Sequence, residues 1–193
     1  MLNAIVLAGG RSSRFGTDKA FVKVGGSTII ESLLFPLSLI FEKIIVVTNH
    51  AEKFQKFPVE LVEDRIKGLG PLAGLHSGLL ASDQQRNFVV ACDMPLLNPR
   101  LIQYICSVPY GQIVVPRIKD KVEPLHAVYS KACIPIIEEQ IASGDYKIQN
   151  FFGKADVCYV EEEAIRKFDP SLTSFLNINL QKDLKKIVSC LKK

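Results

Sequence analysis

Ala4-Ile-Val-Leu-Ala8, running directly into Gly9-Gly10-Arg11-Ser12-Ser13-Arg14-Phe15-Gly16-Thr17-Asp18-Lys19, decides the fold. An apolar strand that empties into a loop rich in glycine and cations is built to receive an anion. Glycines let backbone N–H groups point at phosphate oxygens where a Cβ would obstruct them. Arg11, Arg14 and Lys19 add the positive charge that a polyphosphate requires. Two familiar phosphate loops are excluded by spacing. Five residues separate Gly10 from Gly16, and Thr17 stands where a P-loop would place its lysine. Gly9, Gly10 and Gly16 also fail the Gly-x-Gly-x-x-Gly dinucleotide pattern.

Working outward, apolar runs alternate with helical segments, which predicts βαβ units and a mostly parallel sheet. Strands are expected at Ala4–Ala8, Ile44–Thr48, Val59–Val62, Phe88–Cys92 and Ile113–Pro116, with further strands at His126–Ser130 and Val157–Val160. Helices are expected over Thr28–Phe41, kinked or divided at Pro36, and from Pro71 to about Ser82. Asn98-Pro99 opens another toward Cys106, and Ala132–Ala142 reads as a helix. Near the C-terminus, Leu184, Ile187, Val188 and Leu191 recur at helical spacing among lysines, the pattern of a solvated helix face. No linker, repeat or low-complexity segment divides residues 1–193, so a single three-layer α/β/α domain is expected.

In such a sheet ligands bind at the carboxyl ends of the strands. Here those ends carry Gly9-Gly10, Asn49, Glu63-Asp64 and Asp93. Asp93 follows the apolar run Phe88–Cys92 and faces the phosphate loop in this arrangement, a placement suited to Mg2+ shared with phosphate oxygens. The competing role is a turn or cap residue before the helix at Asn98. Gly74 and Gly78 stand four apart in the second glycine-rich element, and serve either close approach of a ligand or tight helix–sheet packing. Gly70 ahead of Pro71 leaves a helix N-terminus that can face an anion or a base edge.

Composition bounds the rest. A hydrophobic content of 48% with 23% charged residues is that of an ordinary globular protein. No apolar run reaches membrane-spanning length, and the first strand begins too early for a signal peptide, so a cytoplasmic location is expected. The five cysteines are scattered without Cys-x-x-Cys, and the three histidines are dispersed, which argues against a disulfide framework or a zinc site. A net charge of +4 without a basic, aromatic-interleaved stripe does not call for nucleic acid.

Taken together, Leu7–Lys19, Gly70-Pro-Leu-Ala-Gly74, Cys92-Asp-Met-Pro95, Pro124-Leu-His-Ala-Val-Tyr129 and Phe175-Leu-Asn-Ile-Asn179 resemble the molybdenum cofactor guanylyltransferase family, in family order across nearly the whole chain. The related cytidylyltransferases resemble one another in a Leu-Ala-Ala-Gly opening, whereas this chain has Leu-Ala-Gly-Gly and then Asp18-Lys19. The resemblance implies a Rossmann-like three-layer α/β/α nucleotidyltransferase fold of the nucleotide-diphospho-sugar transferase type. It implies GTP and molybdopterin as substrates, Mg2+ as cofactor, and transient contact with pterin-carrying or molybdoenzyme-chaperone proteins. By the same resemblance Leu7, Ala8 and Gly9 contact GTP and Lys19 binds its phosphates. Beside these, the loop amide of Gly10 and the cations Arg14 and Arg11 are read from the loop itself as helpers that stabilise the leaving pyrophosphate. Asp93 binds metal and nucleotide, Asn49 and Asp64 lie near the nucleotide, and Asn177 and Asn179 belong to the pterin side. The family's Thr-Pro-Glu after the second asparagine is replaced here by Leu180-Gln181-Lys182. Open alternatives are a sister nucleotidyltransferase using CTP or a sugar phosphate, a non-catalytic nucleotide-sensing module, and a flavodoxin-like binding domain.

Overall fold

The structure is a computed structural model and describes residues 2–9, 19–24, 26–66, 68–178 and 183. Ten strands are described: β1 Asn3–Leu7, β2 Lys23–Val24, β3 Ser27–Thr28, β4 Ile44–Val47, β5 Glu60–Val62, β6 Arg86–Ala91, β7 Ile113–Ile118, β8 Lys121–Val122, β9 His126–Ser130 and β10 Val157–Glu161. The helices are α1 Ile29–Ser38, α2 Pro71–Ala81, α3 Pro99–Ser107, α4 Ile134–Ala142 and α5 Glu162–Arg166. β2 and β3 form a small antiparallel pair of their own. The other strands make one sheet in the order β10-β7-β9-β6-β1-β4-β5, with β8 beside β7. β5, β4, β1 and β6 run parallel, while β9 is antiparallel to both β6 and β7.

Alternation along each strand builds a core on both faces. Ala4 and Val6 of β1 face a cluster with Leu33 and Leu37 of α1 and Leu101 and Ile105 of α3. Ile5 and Leu7 face the other way, onto Leu72, Leu75 and Leu79 of α2, in a cluster that extends to Ile137 of α4. Helices on both sides of one sheet give the expected three layers, because a parallel strand buried on both faces reads as a continuous apolar run.

Local chemistry sets the helix starts. Thr28 caps α1 in a reciprocal box with Glu31: its Oγ1 accepts the Glu31 N–H, and its own N–H donates to Glu31 Oε2 at 2.8 Å. Asn98 Oδ1 accepts from the N–H groups of Arg100 (3.0 Å) and Leu101 (3.2 Å), with Pro99 in the first turn of α3. Pro36 does not divide α1. It falls in the last turn, so the bond it cannot donate is lost at the end of the helix, and the helix stops at Ser38 rather than Phe41. The expected helix over 182–193 lies outside the described residues, apart from Asp183.

Of the two glycines of α2, Gly78 serves packing. A Cβ at Gly78 would stand 2.5 Å from Ile5 Cγ2 and 3.2 Å from Val47 Cγ2, whereas one at Gly74 would meet Leu7 Cδ2 at 3.4 Å, an ordinary contact. Gly78→Ala is therefore expected to lower stability by roughly 1–3 kcal/mol through overpacking. Gly74→Ala gains helix propensity of up to about 1 kcal/mol and should be neutral or stabilising. Urea midpoints of the two variants check this, and the reverse order would refute the packing account.

Candidate functional site

The carboxyl ends of the strands meet as an aligned edge, tied by backbone hydrogen bonds that continue past the strands. The Ala8 N–H donates to the Val47 carbonyl (2.9 Å), and the Thr48 N–H to that of Val62 (2.9 Å). On the other side of β1, the Cys92 N–H donates to the Leu7 carbonyl (3.1 Å), and beyond it the Ala91 N–H to that of Leu125 (3.1 Å). From β1 the chain moves outward through β4 to β5, then returns to place β6 on the opposite flank. The crevice between β1 and β6 is thus the switch point where open α/β sheets take their ligands. Gly9 and Asp93 leave the sheet on its two sides.

Leu7 is buried, Ala8 half-buried and Gly9 exposed at this edge. Nothing among the described residues lies within 4 Å of where a Cβ would stand on Gly9. Packing does not require glycine there, and the open space suits a ligand passing close to the backbone. Asp93 is half-buried, and its carbonyl accepts the Ile178 N–H at 3.0 Å. That bond brings exposed Asn177 to the same edge. The chain after β5 places Asp64 there too. Asp64 Oδ1 accepts the Ile66 N–H (3.3 Å) and the hydroxyl of Ser77 (3.3 Å), and Ser77 Oγ in turn accepts the Arg65 N–H (3.0 Å). Both bonds to the carboxylate use Oδ1, so the carboxylate is oriented with Oδ2 outside this network. Asn49, one residue past the Thr48 bond, is exposed.

Gly70 turns the chain into α2 with φ +73° and ψ −156°, a conformation open in practice to glycine alone. It has no side chain to cap α2, whose N-terminus lies toward the strand-end edge because Gly74 sits at Leu7 and Gly78 at Ile5. Lys19 begins a short 3-10 turn, Lys19–Phe21, and its side chain lies outside the described residues, as do Gly10, Arg14 and Asn179 entirely. Among the described residues no group of three or more His, Cys, Asp or Glu side chains could hold a metal unaided. No helix among them is long and apolar enough to cross a membrane.

The motif Pro124–Tyr129 turns out to be split between the faces of β9. Tyr129, fully buried, donates its hydroxyl to the Pro124 carbonyl at 2.8 Å and so closes the turn that leads into β9. His126, also fully buried, lies edge-on to Phe88 (5.1 Å between ring centroids) and against Phe175 (5.0 Å). Two supporting residues escape a reading based on strand ends, Ser77 and Asp169. Asp169 carried a local signal in the run Asp169-Pro-Ser-Leu-Thr-Ser174, an acceptor placed ahead of hydroxyl residues as in side-chain-capped turns.

The model of the MobA-like NTP transferase domain matches residues 4–158, which hold the first glycine-rich loop, α2 and Asp93. The molybdenum cofactor guanylyltransferase of Syntrophotalea carbinolica is 35% identical over 188 residues, covering 95% of this chain and 89% of its own. That of Desulfosudis oleivorans is 33% identical and covers 99% of this chain and 96% of its own. In three dimensions, the molybdopterin-guanine dinucleotide biosynthesis protein A of Archaeoglobus fulgidus superimposes with a TM-score of 0.87 at 31% identity over 100% of both chains. Sequence and backbone agree from the first strand to the segment that bonds Asp93, and the chain belongs to the MobA-like NTP transferases, the family of the molybdenum cofactor guanylyltransferases.

Proposed function

We propose that this chain, acting as one nucleotidyltransferase domain over residues 1–193, transfers GMP from GTP to the terminal phosphate of molybdopterin. The products are molybdopterin guanine dinucleotide and pyrophosphate. The observation that carries the reading is that Gly9, Asp64 and Asp93 all follow carboxyl ends of parallel strands along one edge of the sheet, with Asn177 beside Asp93 through the Ile178–Asp93 bond. The terminal phosphate is an anion at neutral pH and attacks the α-phosphorus of GTP as it stands, with pyrophosphate as the leaving group. Because the nucleophile needs no deprotonation, catalysis rests on positioning and on neutralising charge.

In this reading Leu7, Ala8, Gly9 and Gly10 hold the nucleotide through the backbone, and Asn49 and Asp64 fix its nucleoside part. Lys19 and Arg14 neutralise the departing pyrophosphate. Asn177 and Asn179 serve the pterin. A half-buried carboxylate at the end of a buried strand fits a divalent cation that takes its remaining ligands from substrate phosphates, and Asp93 would hold it. We take the cation to be Mg2+, which when bound supplies positive charge at the phosphate oxygens. Transient contact with pterin-carrying or molybdoenzyme-chaperone proteins and a cytoplasmic location complete the proposal.

The test is incubation with Mg2+, molybdopterin and each of the four nucleoside triphosphates, reading pyrophosphate. Release with GTP alone is expected. Release with CTP would make the chain a sister cytidylyltransferase, and GTP binding without release would make it a nucleotide-sensing module.

A further inference from the structure

The strand-end edge has two unlike halves. On the β1 side it is made of strand ends and of the α2 N-terminus. On the β6 side the neighbouring strand is antiparallel β9, whose beginning rather than end lies at the edge. What covers that half is the segment Asp169–Ile178. Asp169 is only 4% exposed, and its carboxylate accepts hydrogen bonds from within this segment. Oδ1 accepts the N–H (3.1 Å) and the hydroxyl (3.1 Å) of Thr173, and Oδ2 accepts the Ser174 N–H (2.8 Å). The resulting 3-10 turn, Thr173–Phe175, is entered through Leu172 at φ +55°, a left-handed conformation that a leucine holds only when its surroundings impose it. The turn lays Phe175 on the buried ring of His126, and three residues later the Ile178 N–H reaches the Asp93 carbonyl. Ile178 itself is fully buried beside Val24 and Ile29. The upstream end is tied as well, since Asn98, the cap of α3, donates its Nδ2 to the Phe168 carbonyl at 2.8 Å.

We infer that Asp169–Ile178 is a preformed strap that builds the acceptor half of the site, and that Asp169 is its positioning residue. Asp169 touches no reacting atom. It acts through the turn at Thr173–Phe175, which fixes the register of Leu176–Ile178 and so the place of Asn177 beside Asp93. This rests on the functional reading above for the identity of the acceptor, molybdopterin, and on geometry for the strap. Its consequence is a division of labour. Loosening the strap impairs the acceptor more than the nucleotide, whose backbone contacts at Leu7–Gly10 lie across the switch point on the β1 side.

The experiment uses the full chain and Asp169→Asn, which cannot accept from both Thr173 and Ser174, with Thr173→Val as a milder variant that removes only the hydroxyl bond. Three quantities are read: hydrogen exchange of the Ile178 amide, the KM for molybdopterin, and the Kd for GTP measured without acceptor. Misplacing a positioning group by a fraction of an ångström costs on the order of tenfold, so Asp169→Asn should raise the acceptor KM about tenfold and speed Ile178 exchange by a similar factor, with GTP affinity within about twofold. Thr173→Val should move the same two quantities less, and it carries the test should Asp169→Asn fail to fold. Unchanged Ile178 exchange, or an unchanged acceptor KM despite faster exchange, overturns the inference. So does a loss of GTP affinity that keeps step with the acceptor, the result expected of a residue that merely stabilises the whole fold. A wild-type chain that binds GTP yet releases no pyrophosphate with molybdopterin overturns the functional reading instead, and Ile178 exchange still decides whether Asp169 latches the strap.

Discussion

Asp93→Ala is expected to reduce metal-dependent pyrophosphate release by about a thousandfold or more, because it removes the carboxylate proposed to hold the cation at the phosphates. The fold should survive. The bond from the Ile178 N–H to this position uses the Asp93 backbone carbonyl, which alanine retains. Asp93→Asn separates charge from shape: if the residue holds a cation, the neutral amide should fail almost as completely as alanine. Steady-state rates at saturating GTP, with thermal unfolding to show an intact fold, make the check. Turnover within tenfold of wild type in Asp93→Ala would return Asp93 to the role of a turn residue before α3.

Acid should destabilise this protein well above the pH at which carboxylates titrate, and His126 should be the reason. Burial pushes its pKa down to about 3, only partly countered by the negative charge of Asp169. The folded chain therefore keeps the imidazole neutral, while the unfolded chain takes up a proton near pH 6.5. Between those two values the unfolded state binds more protons, so stability falls as pH falls, by up to about 1.4 kcal/mol per pH unit. From pH 7 to pH 5 the loss from this group alone is about 2 kcal/mol. Asp169 does not contribute in that window. Burial acts to raise its pKa, but the hydrogen bonds from Ser174 and Thr173 outweigh it, and the net value is lowered. Its stabilisation is present above the ordinary aspartate range and is lost only as pH falls below it. Urea unfolding at pH 7 and pH 5 of wild type and of His126→Phe, which keeps a ring between Phe88 and Phe175, provides the measurement. An equal loss in both proteins would show that His126 is not the origin.

Much of this site was legible in the residues because strand ends obey a simple rule. A buried strand must be apolar, so the glycines and polar residues that follow it gather at the edge, and Gly9, Asn49, Asp64 and Asp93 read that way from the residues alone. The two glycines of α2 were legible as a pair, but their purpose was not. Only the 2.5 Å approach of Ile5 to a Cβ on Gly78 shows that the sheet, not a ligand, occupies that space. His126 reads as one polar residue in a strand, and nothing in the sequence says that two phenylalanines from distant segments enclose it. The strap was the least legible part. Asp169 and Ile178 do their work through one local turn and one bond across 85 positions, and neither leaves a periodic signature.

The seating of Gly78 against Ile5 has a mechanical consequence. With no room for even a methyl group between helix and strand, α2 cannot slide or roll on β1 without a clash. Its N-terminus at Gly70 lies about 12 Å along the helix axis from that anchor, close enough to share its rigidity. The β1 side of the crevice, proposed above to take the nucleotide, is thus an anvil, set once when the sheet folds. Any accommodation of substrates of different bulk must come from the opposite jaw, whose turn is held by the Asp169 carboxylate and whose tip is tied by the Ile178–Asp93 backbone bond.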